Sequence, residues 1–391
     1  MRFHRDRIVV TGIGVVAPNG IGKEEFWENC LSGTSGIKPI TLFDTSAYRC
    51  HLAGEISNFQ PEKYLGSKGL RNLDRTTLLV LVAAKLAIED AKLNIPEEDA
   101  HSIGVVLGST MGSIHSISSF DIESLREGPR FVNPAVFPNT VINSPASRIA
   151  IRFGVKGLNS TIGTGFTASL DALEYAANML LSGRLNAVLV GGVEELCIET
   201  YSGFHELNLL NESNGTNDNE SLHPTKPRVR FLIGEGSGIF LLEAENKAKK
   251  RKAVIQGYLE ATKSTFMAPP ASRFHVCKEE ELDAFLSDID GNRSCLKNIS
   301  FVSFWTGNVS NEGRVDKVLK KLLRKKFLKI SIKDLIGECF SATGILQLIA
   351  GIGIARENGG GRLLVANLSP VGNHSLAILY VSKDSEKQSN K

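Results

Sequence analysis

The chain of 391 residues carries one order of elements twice, and that repeat restricts the folds open to it. An apolar strand running to a glycine stands at 102–108 (SIGVVLG) and again at 299–307 (ISFVSFWTG). A sharp turn leading into an apolar helix stands near Phe166 and again near Ser341. A strand follows each helix, at 186–192 and 362–367, and another closes each set, at 239–243 and 376–381. Continuous apolar strands of this kind belong to sheets covered on both faces. Helices apolar around most of their circumference belong between layers. The expectation is an α/β fold of two pseudo-repeated halves, one over 1–250 and one over 251–391.

Around that repeat, Arg7 to Val16 reads as a strand carrying Gly12 and Gly14. No third glycine completes a dinucleotide-binding fingerprint, so these two are read as serving close packing of the strand. Glu24 to Leu31 reads as a short helix, and Arg75 to Leu93 as a broad-faced buried one. The stretch 110–146 lacks clean periodicity and is broken by Pro134, Pro138 and Pro145. It is long for a connection, and segments of that kind are often functional. Beyond it, 211–220 is a polar loop, Ala253 to Leu259 a strand, and Leu282 to Leu286 a helix. Val315 to Lys329 reads as a basic helix, Ser341 to Ala355 as a Gly/Ala-rich buried one, and 382–391 as a polar tail.

With 42% hydrophobic and 22% charged residues, the chain can bury a sizeable core. A net charge of +3 is too mild to point to nucleic acid or a membrane surface. The cysteines at 30, 50, 197, 277, 295 and 339 form no CxxC pair, so neither a metal site nor a disulfide framework is expected. No cofactor motif is present. The N-terminus enters a strand at once, without a signal-type apolar segment, and the expected location is the cytoplasm.

The chemistry is concentrated in 159–195, NSTIGTGFTASLDALEYAANMLLSGRLNAVLVGGVEE. A short strand turns through Gly163, Thr164 and Gly165 into a helix. The first side chain is thereby presented at a helix N-terminus, where free N–H groups and the dipole lower a thiol's pKa and hold an oxyanion. The residue in that seat is Phe166, which has no nucleophilic or acid–base group.

Several segments together resemble the β-ketoacyl-acyl-carrier-protein synthases of the thiolase fold, over nearly the whole length. They are VVTGIGVVAPNG (9–20), LDRTTLLVLVAAKLAIEDA (73–91), GVVLGSTMG (104–112), GPRFVNPAVFPNT (128–140), GRLNAVLVGGVEE (183–195) and GEGSGIFLLE (234–243). The resemblance implies a thiolase-like architecture of five layers, α-β-α-β-α. In that family a cysteine takes the acyl chain and two histidines drive decarboxylation. On this chain the three positions fall on Phe166, on Trp305 in SFWTGN and on Glu338 in LIGECFSATG, while the family's lysine is matched by Lys333. The family's Gly-rich NSFGFGG loop is reduced to NLSPVG at 367–372.

Thioester exchange needs a thiolate, and decarboxylation needs donors to a developing enolate. The resemblance therefore implies a chain-length factor, the non-catalytic partner of a ketosynthase heterodimer in type II polyketide or aryl-polyene synthesis. The family's commonest such subunit carries glutamine in the seat, so phenylalanine marks a site that is filled. The implied partners are a catalytic ketosynthase, an acyl carrier protein and the growing acyl chain. Met111, Ile114, His115, Ile117, Phe120 and Phe137 are the residues expected at the acyl tunnel and interface. Two alternatives stay open: a divergent condensing enzyme or acyltransferase using Cys339 or Cys197, and a subunit that serves assembly alone.

Overall fold

The computed structural model describes residues 7–210, 231–268, 278–287, 296, 298–306, 309–323 and 325–383, with the side chains of 309–312 left aside. The polar loop at 211–220, Cys277, Cys295 and most of the tail lie outside the described residues.

One sheet of 11 strands holds the short strand Gly20–Ile21, which pairs with β1 off the main path, and ten others: β1 (Ile8–Ala17), β2 (Ile103–Gly108), β3 (Asn159–Ile162), β4 (Ala187–Glu194), β5 (Gly236–Ala244), β6 (Gly257–Phe266), β7 (Ile299–Trp305), β8 (Leu328–Ile330), β9 (Gly361–Leu368) and β10 (Asn373–Val381). Their order is β8-β7-β9-β10-β6-β1-β5-β4-β2-β3. The order is palindromic. On one side β2 pairs in parallel with β3 and β4, and β4 pairs antiparallel with β5. On the other, β7 pairs in parallel with β8 and β9, and β9 pairs antiparallel with β10. The two halves meet where β1 and β6 pair through three residues each: Ile8 with Leu259, Val9 with Tyr258 and Val10 with Gly257. The repeat read in the sequence is thus a repeat of strand order and direction.

Nine helices matter for the argument: α1 (Lys23–Ser32), α2 (Arg75–Asp90), α3 (Ile114–Glu127), α4 (Ser144–Phe153), α5 (Ala168–Leu181), α6 (Ile198–Glu206), α7 (Glu279–Ser287), α8 (Val309–Leu323) and α9 (Thr343–Glu357). Three core clusters define the layers. In the first, Leu79, Val80 and Ala83 of α2 and Ile149 of α4 cover Val105, Leu189 and Leu241 of the first half-sheet. In the second, Leu170 and Leu173 of α5 and Ile345, Ile349 and Ile352 of α9 lie between the half-sheets, touching Val188 and Val190 of one and Leu363 and Val365 of the other. In the third, Phe285 of α7 and Val315 and Leu319 of α8 cover Val302, Leu364 and Ile378. The sequence is α-β-α-β-α. In α9, 12 of 15 residues are buried, which places it in the middle layer. Each fully buried Leu or Ile there contributes about 1.5–3 kcal/mol.

Gly12 and Gly14 have the packing role expected. A Cβ on Gly14 would stand 1.8 Å from the Ala83 carbonyl oxygen, and one on Gly12 would stand 2.2 Å from that of Ala87. No larger residue lets β1 approach α2 so closely. The N-terminus of α2 is capped by Asp74, whose carboxylate accepts the Thr77 N–H at 2.7 Å.

Three readings need correction. The stretch 110–146 is not irregular: it holds α3, a short 3₁₀ turn at Phe137–Thr140 and the start of α4. The basic run 315–329 is not one helix, because α8 ends at Leu323 and Leu328 and Lys329 enter the edge strand β8. The strand expected at 253–259 begins at Gly257 and runs on to Phe266.

Candidate functional site

The turn before α5 is the focus of the second half of the chain as well as the first. Gly165 has φ +74°, a left-handed conformation that glycine adopts without strain. Phe166 follows in a 3₁₀ turn, Gly165–Thr167, that runs into α5. One carboxylate fixes this turn. Asp171 of α5 accepts hydroxyls from Thr164, Thr167 (2.8 Å), Ser264 of β6 (2.5 Å) and Ser375 of β10. Asn373 donates its amide to the Thr164 carbonyl at 2.8 Å, and Asn367 donates to the Phe166 carbonyl at 3.4 Å. The seat from the first half is therefore held by side chains from the second.

The structure brings Phe166, Trp305 and Glu338 to one place. Phe166, half-buried, stacks on Trp305 with ring centroids 4.5 Å apart and planes 20° from parallel. Trp305 is the last residue of β7 and is buried. Phe340 packs on Phe166 at 5.5 Å, on Phe204 at 5.0 Å and on Phe231 at 6.3 Å. A continuous aromatic run thus leads from the end of β7 across the seat to α6. Phe340 is held at φ +45°, a conformation that costs a bulky residue about 1–3 kcal/mol and that surrounding packing must maintain.

Glu338 is 1% exposed. Its Oε1 accepts the Phe340 N–H and the Thr343 hydroxyl, each at 2.7 Å. Its Oε2 has no hydrogen-bond partner among the described residues. Burial pushes its pKa up to about 7, against the pull of Thr343, the Phe340 N–H, the positive charge of Lys333 and the Trp305 side chain. Lys333 opens the short helix Lys333–Ile336 ahead of Glu338.

The site offers no activated thiol among the described residues. Burial and three neighbouring carboxylates (Glu338, Glu235 and Glu194) push the Cys339 thiol well above its ordinary pKa. Its Sγ donates to the Glu235 carbonyl at 3.4 Å. Burial pushes Cys197 up to about 12 and Cys30 up to about 11. Such thiols are protonated at neutral pH and behave as small apolar side chains.

The residues expected at a tunnel and interface lie together on a surface segment. Met111, Ile114, Ile117 and Phe120 are half-buried, and His115 and Phe137 are exposed. Phe120 and Phe137 pack at 5.8 Å. His115 pairs through Nδ1 with Glu199 at 3.1 Å. No residue of α3 is buried. Around it stand Leu125 (86% exposed), Phe131 (75%) and Ile151 (73%), with Ile122, Val141 and Ile142 also exposed. Isolated exposed apolar residues are ordinary; here these six and Phe137 fall within 122–151.

Sequence reasoning missed Phe340, which packs on Phe166, and Phe204 and Phe231, which pack on Phe340, because nothing local to them signals the contacts. It also missed Asp171. The one signal available was the run of hydroxyls at 164, 167, 264 and 375, which is scattered over both halves. Among the described residues there is no cluster able to hold a metal ion and no helix long and apolar enough to cross a membrane.

A family model for the N-terminal domain of β-ketoacyl synthases matches residues 5–248. The chain is 30% identical over 354 residues to the 3-oxoacyl-[acyl-carrier-protein] synthase 2 of Vibrio cholerae, covering 88% of this chain and 84% of that one. It is 28% identical over 369 residues to the protein of the same name from Coxiella burnetii, covering 91% and 87%. Among solved structures, it is similar to the ishigamide ketosynthase/chain length factor, with a TM-score of 0.81, 22% identity, and 96% of this chain and 99% of that chain covered. A β-ketoacyl synthase from Burkholderia phymatum gives a TM-score of 0.82 at 18% identity, with 96% and 99% covered.

Proposed function

The chain belongs to the β-ketoacyl synthase family, and we propose that within it the chain is a chain-length factor: a subunit that performs no condensation itself but pairs with a catalytic ketosynthase. The observation that carries this reading is the filled seat. Phe166 lies flat on Trp305 at 4.5 Å where the family's enzymes place a thiolate beside an imidazole. A phenyl ring cannot form a thioester, and an indole cannot exchange a proton near pH 7. Glu338 stands where the resemblance places the second imidazole, and its Oε1 is committed to the Phe340 N–H and the Thr343 hydroxyl.

In the proposed complex the partner supplies the nucleophile and the decarboxylating histidines, and an acyl carrier protein delivers the units. This subunit contributes the wall of the acyl tunnel through Met111, Ile114, His115, Ile117, Phe120 and Phe137. The exposed apolar face around α3 supports a paired subunit, since a monomer would leave Leu125, Phe131 and Ile151 in water. The solved protein described as a ketosynthase/chain length factor supports the same pairing by its likeness. The curated relatives are named as synthases, and the three substituted positions are the basis for separating this chain from them.

The test is intact-mass spectrometry of the chain, alone and mixed with its ketosynthase, after exposure to acyl-loaded carrier protein. Acyl mass on the ketosynthase alone supports the reading. A stable acyl adduct on this chain overturns it and points to a divergent acyltransferase, to be located by Cys339→Ser and Cys197→Ser. With the pair reconstituted, Met111→Ala and Phe137→Ala lengthen the product. Unchanged length distributions reduce the subunit to an assembly role.

A further inference from the structure

No residue of helix α3 is fully buried, and its side-chain contacts are partial: Phe120 on Phe137 at 5.8 Å and His115 with Glu199 at 3.1 Å. Buried polar bonds at its base add to them. Glu194 ends β4 and is 1% exposed; it accepts the backbone N–H groups of Thr110 and of Met111 (3.3 Å) and the Ser109 hydroxyl at 3.4 Å. Glu195, the next residue and equally buried, accepts the His115 N–H at 3.2 Å in the first turn of α3. Thr76 of α2 donates its hydroxyl to the Gly112 carbonyl at 3.1 Å. Glu194 has a second connection: it accepts the Ser341 hydroxyl at 2.7 Å, in the turn that also carries Phe340.

We propose that Glu194 and Glu195 are positioning residues for the partner-facing surface: they clamp 109–115 to the sheet, and Glu194, through Ser341, joins that surface to the aromatic-filled site. The partner in this proposal rests on the chain-length-factor reading; the clamp itself does not. Segments with few buried contacts open locally at low free energy, so the orientation of α3 depends on these backbone bonds. Both carboxyls are also titratable near neutrality. Burial pushes Glu194 up to about 7 against Ser341, Thr110 and Met111. Burial and the charges of Asp74 and Glu235 push Glu195 up to about 8, against the His115 N–H and Thr76. Arg75 and the Cys339 and Cys197 thiols also feel the charge of the pair, and the His115 ring beside it is paired with Glu199. Opening that wets a carboxyl of raised pKa becomes more favourable as pH rises from about 4.5 to about 8. The clamp therefore loosens with rising pH.

The test is hydrogen–deuterium exchange of the isolated chain, comparing peptides over 109–127 with those over 168–181 and 343–357. Glu194→Met fills the same space without an acceptor and raises exchange in 109–127 by about tenfold or more, as expected for a lost bond to a charged group. Glu194→Gln keeps one acceptor oxygen, retains protection, and flattens its dependence on pH between 5 and 8. Glu195→Met provides a second, independent variant. Equal behaviour of the Met and Gln variants, or exchange raised equally in all three regions, overturns the clamp. Affinity for the ketosynthase, measured separately, falls in Glu194→Met if the partner assignment holds. An intact affinity beside altered exchange would refute the partner assignment and leave the clamp standing.

Discussion

Replacing the plug with the family's nucleophile, Phe166→Cys, isolates what the seat still provides from what it has lost. The substitution removes one stacked pair with Trp305 and one tilted contact with Phe340. Each such pair is worth about 0.5–1.5 kcal/mol beyond burial. Because Phe166 is only half-buried, the total loss is expected near 2–3 kcal/mol, below the 3–5 kcal/mol of a fully buried Phe→Ala. The new thiol stands before a helix of 14 residues. A helix terminus favours an anion by about 0.3–2 kcal/mol, which lowers an ordinary thiol pKa of about 8.5 to between about 7 and 8.3. The assay is alkylation by iodoacetamide between pH 6 and 10, read at position 166 by peptide mass, followed by acyl loading from carrier protein. The variant should alkylate with a depressed pKa, and on the proposed reading, in which Trp305 and Glu338 stand in for the family's two histidines, it should show no condensation. A thiol pKa above about 9 would refute the description of the seat. Condensation by the variant alone, at a rate near the ketosynthase's own, would refute the reasoning that Trp305 and Glu338 cannot support the chemistry.

Three further outcomes follow. Arg75→Met leaves the buried Glu235 carboxylate without its counter-charge, which Arg75 supplies through two bonds of 2.6 and 2.5 Å, and should cost about 3–5 kcal/mol in urea unfolding, only partly recovered by adding Glu235→Leu because that carboxylate also accepts the Ile56 and Leu196 N–H groups. Glu338→Gln should reduce the loss of stability between pH 5 and 8: a folded pKa raised to about 7 makes the native state less favourable as pH rises from about 4.5 to 7 and constant above, and the amide has no such titration. Leu125→Asp and Phe131→Asp, at residues 86% and 75% exposed, should change the isolated chain's stability by less than about 0.5 kcal/mol while weakening association with the ketosynthase at least tenfold, measured by titration calorimetry.

Most of the sheet was legible because its strands are buried on both faces and so read as unbroken apolar runs, as at Ile103–Gly108 and Ile299–Trp305. Helix α3 was not legible for the complementary reason: none of its apolar residues is fully buried, so their spacing is not set by a core face. The run 315–329 misled because lysines populate both α8 and the edge strand β8, and charge is compatible with either. At the site, Phe166, Trp305 and Glu338 were singled out in the sequence, and the fold brings them together. The stacking was not, since Phe166 meets Trp305 and Phe340 only after both half-sheets have closed. The GGVEE motif was visible, but its two acids look alike in sequence, and only their burial separates a backbone clamp from a solvated pair.

The middle layer imposes an order on synthesis. Helix α5 leaves the ribosome with Leu170, Leu173 and Ala177 directed at α9, which begins only at Thr343. At translation rates of roughly 5–20 residues per second, the intervening chain takes on the order of ten to thirty seconds to appear. Throughout that interval the nascent first half carries a sheet with one face uncovered by α9, and the side of β1 opposite β5 stays unpaired until Gly257–Leu259 arrives. A fold whose central seam is closed by its last third is one that a chaperone holding the growing chain would reach before its own C-terminus does.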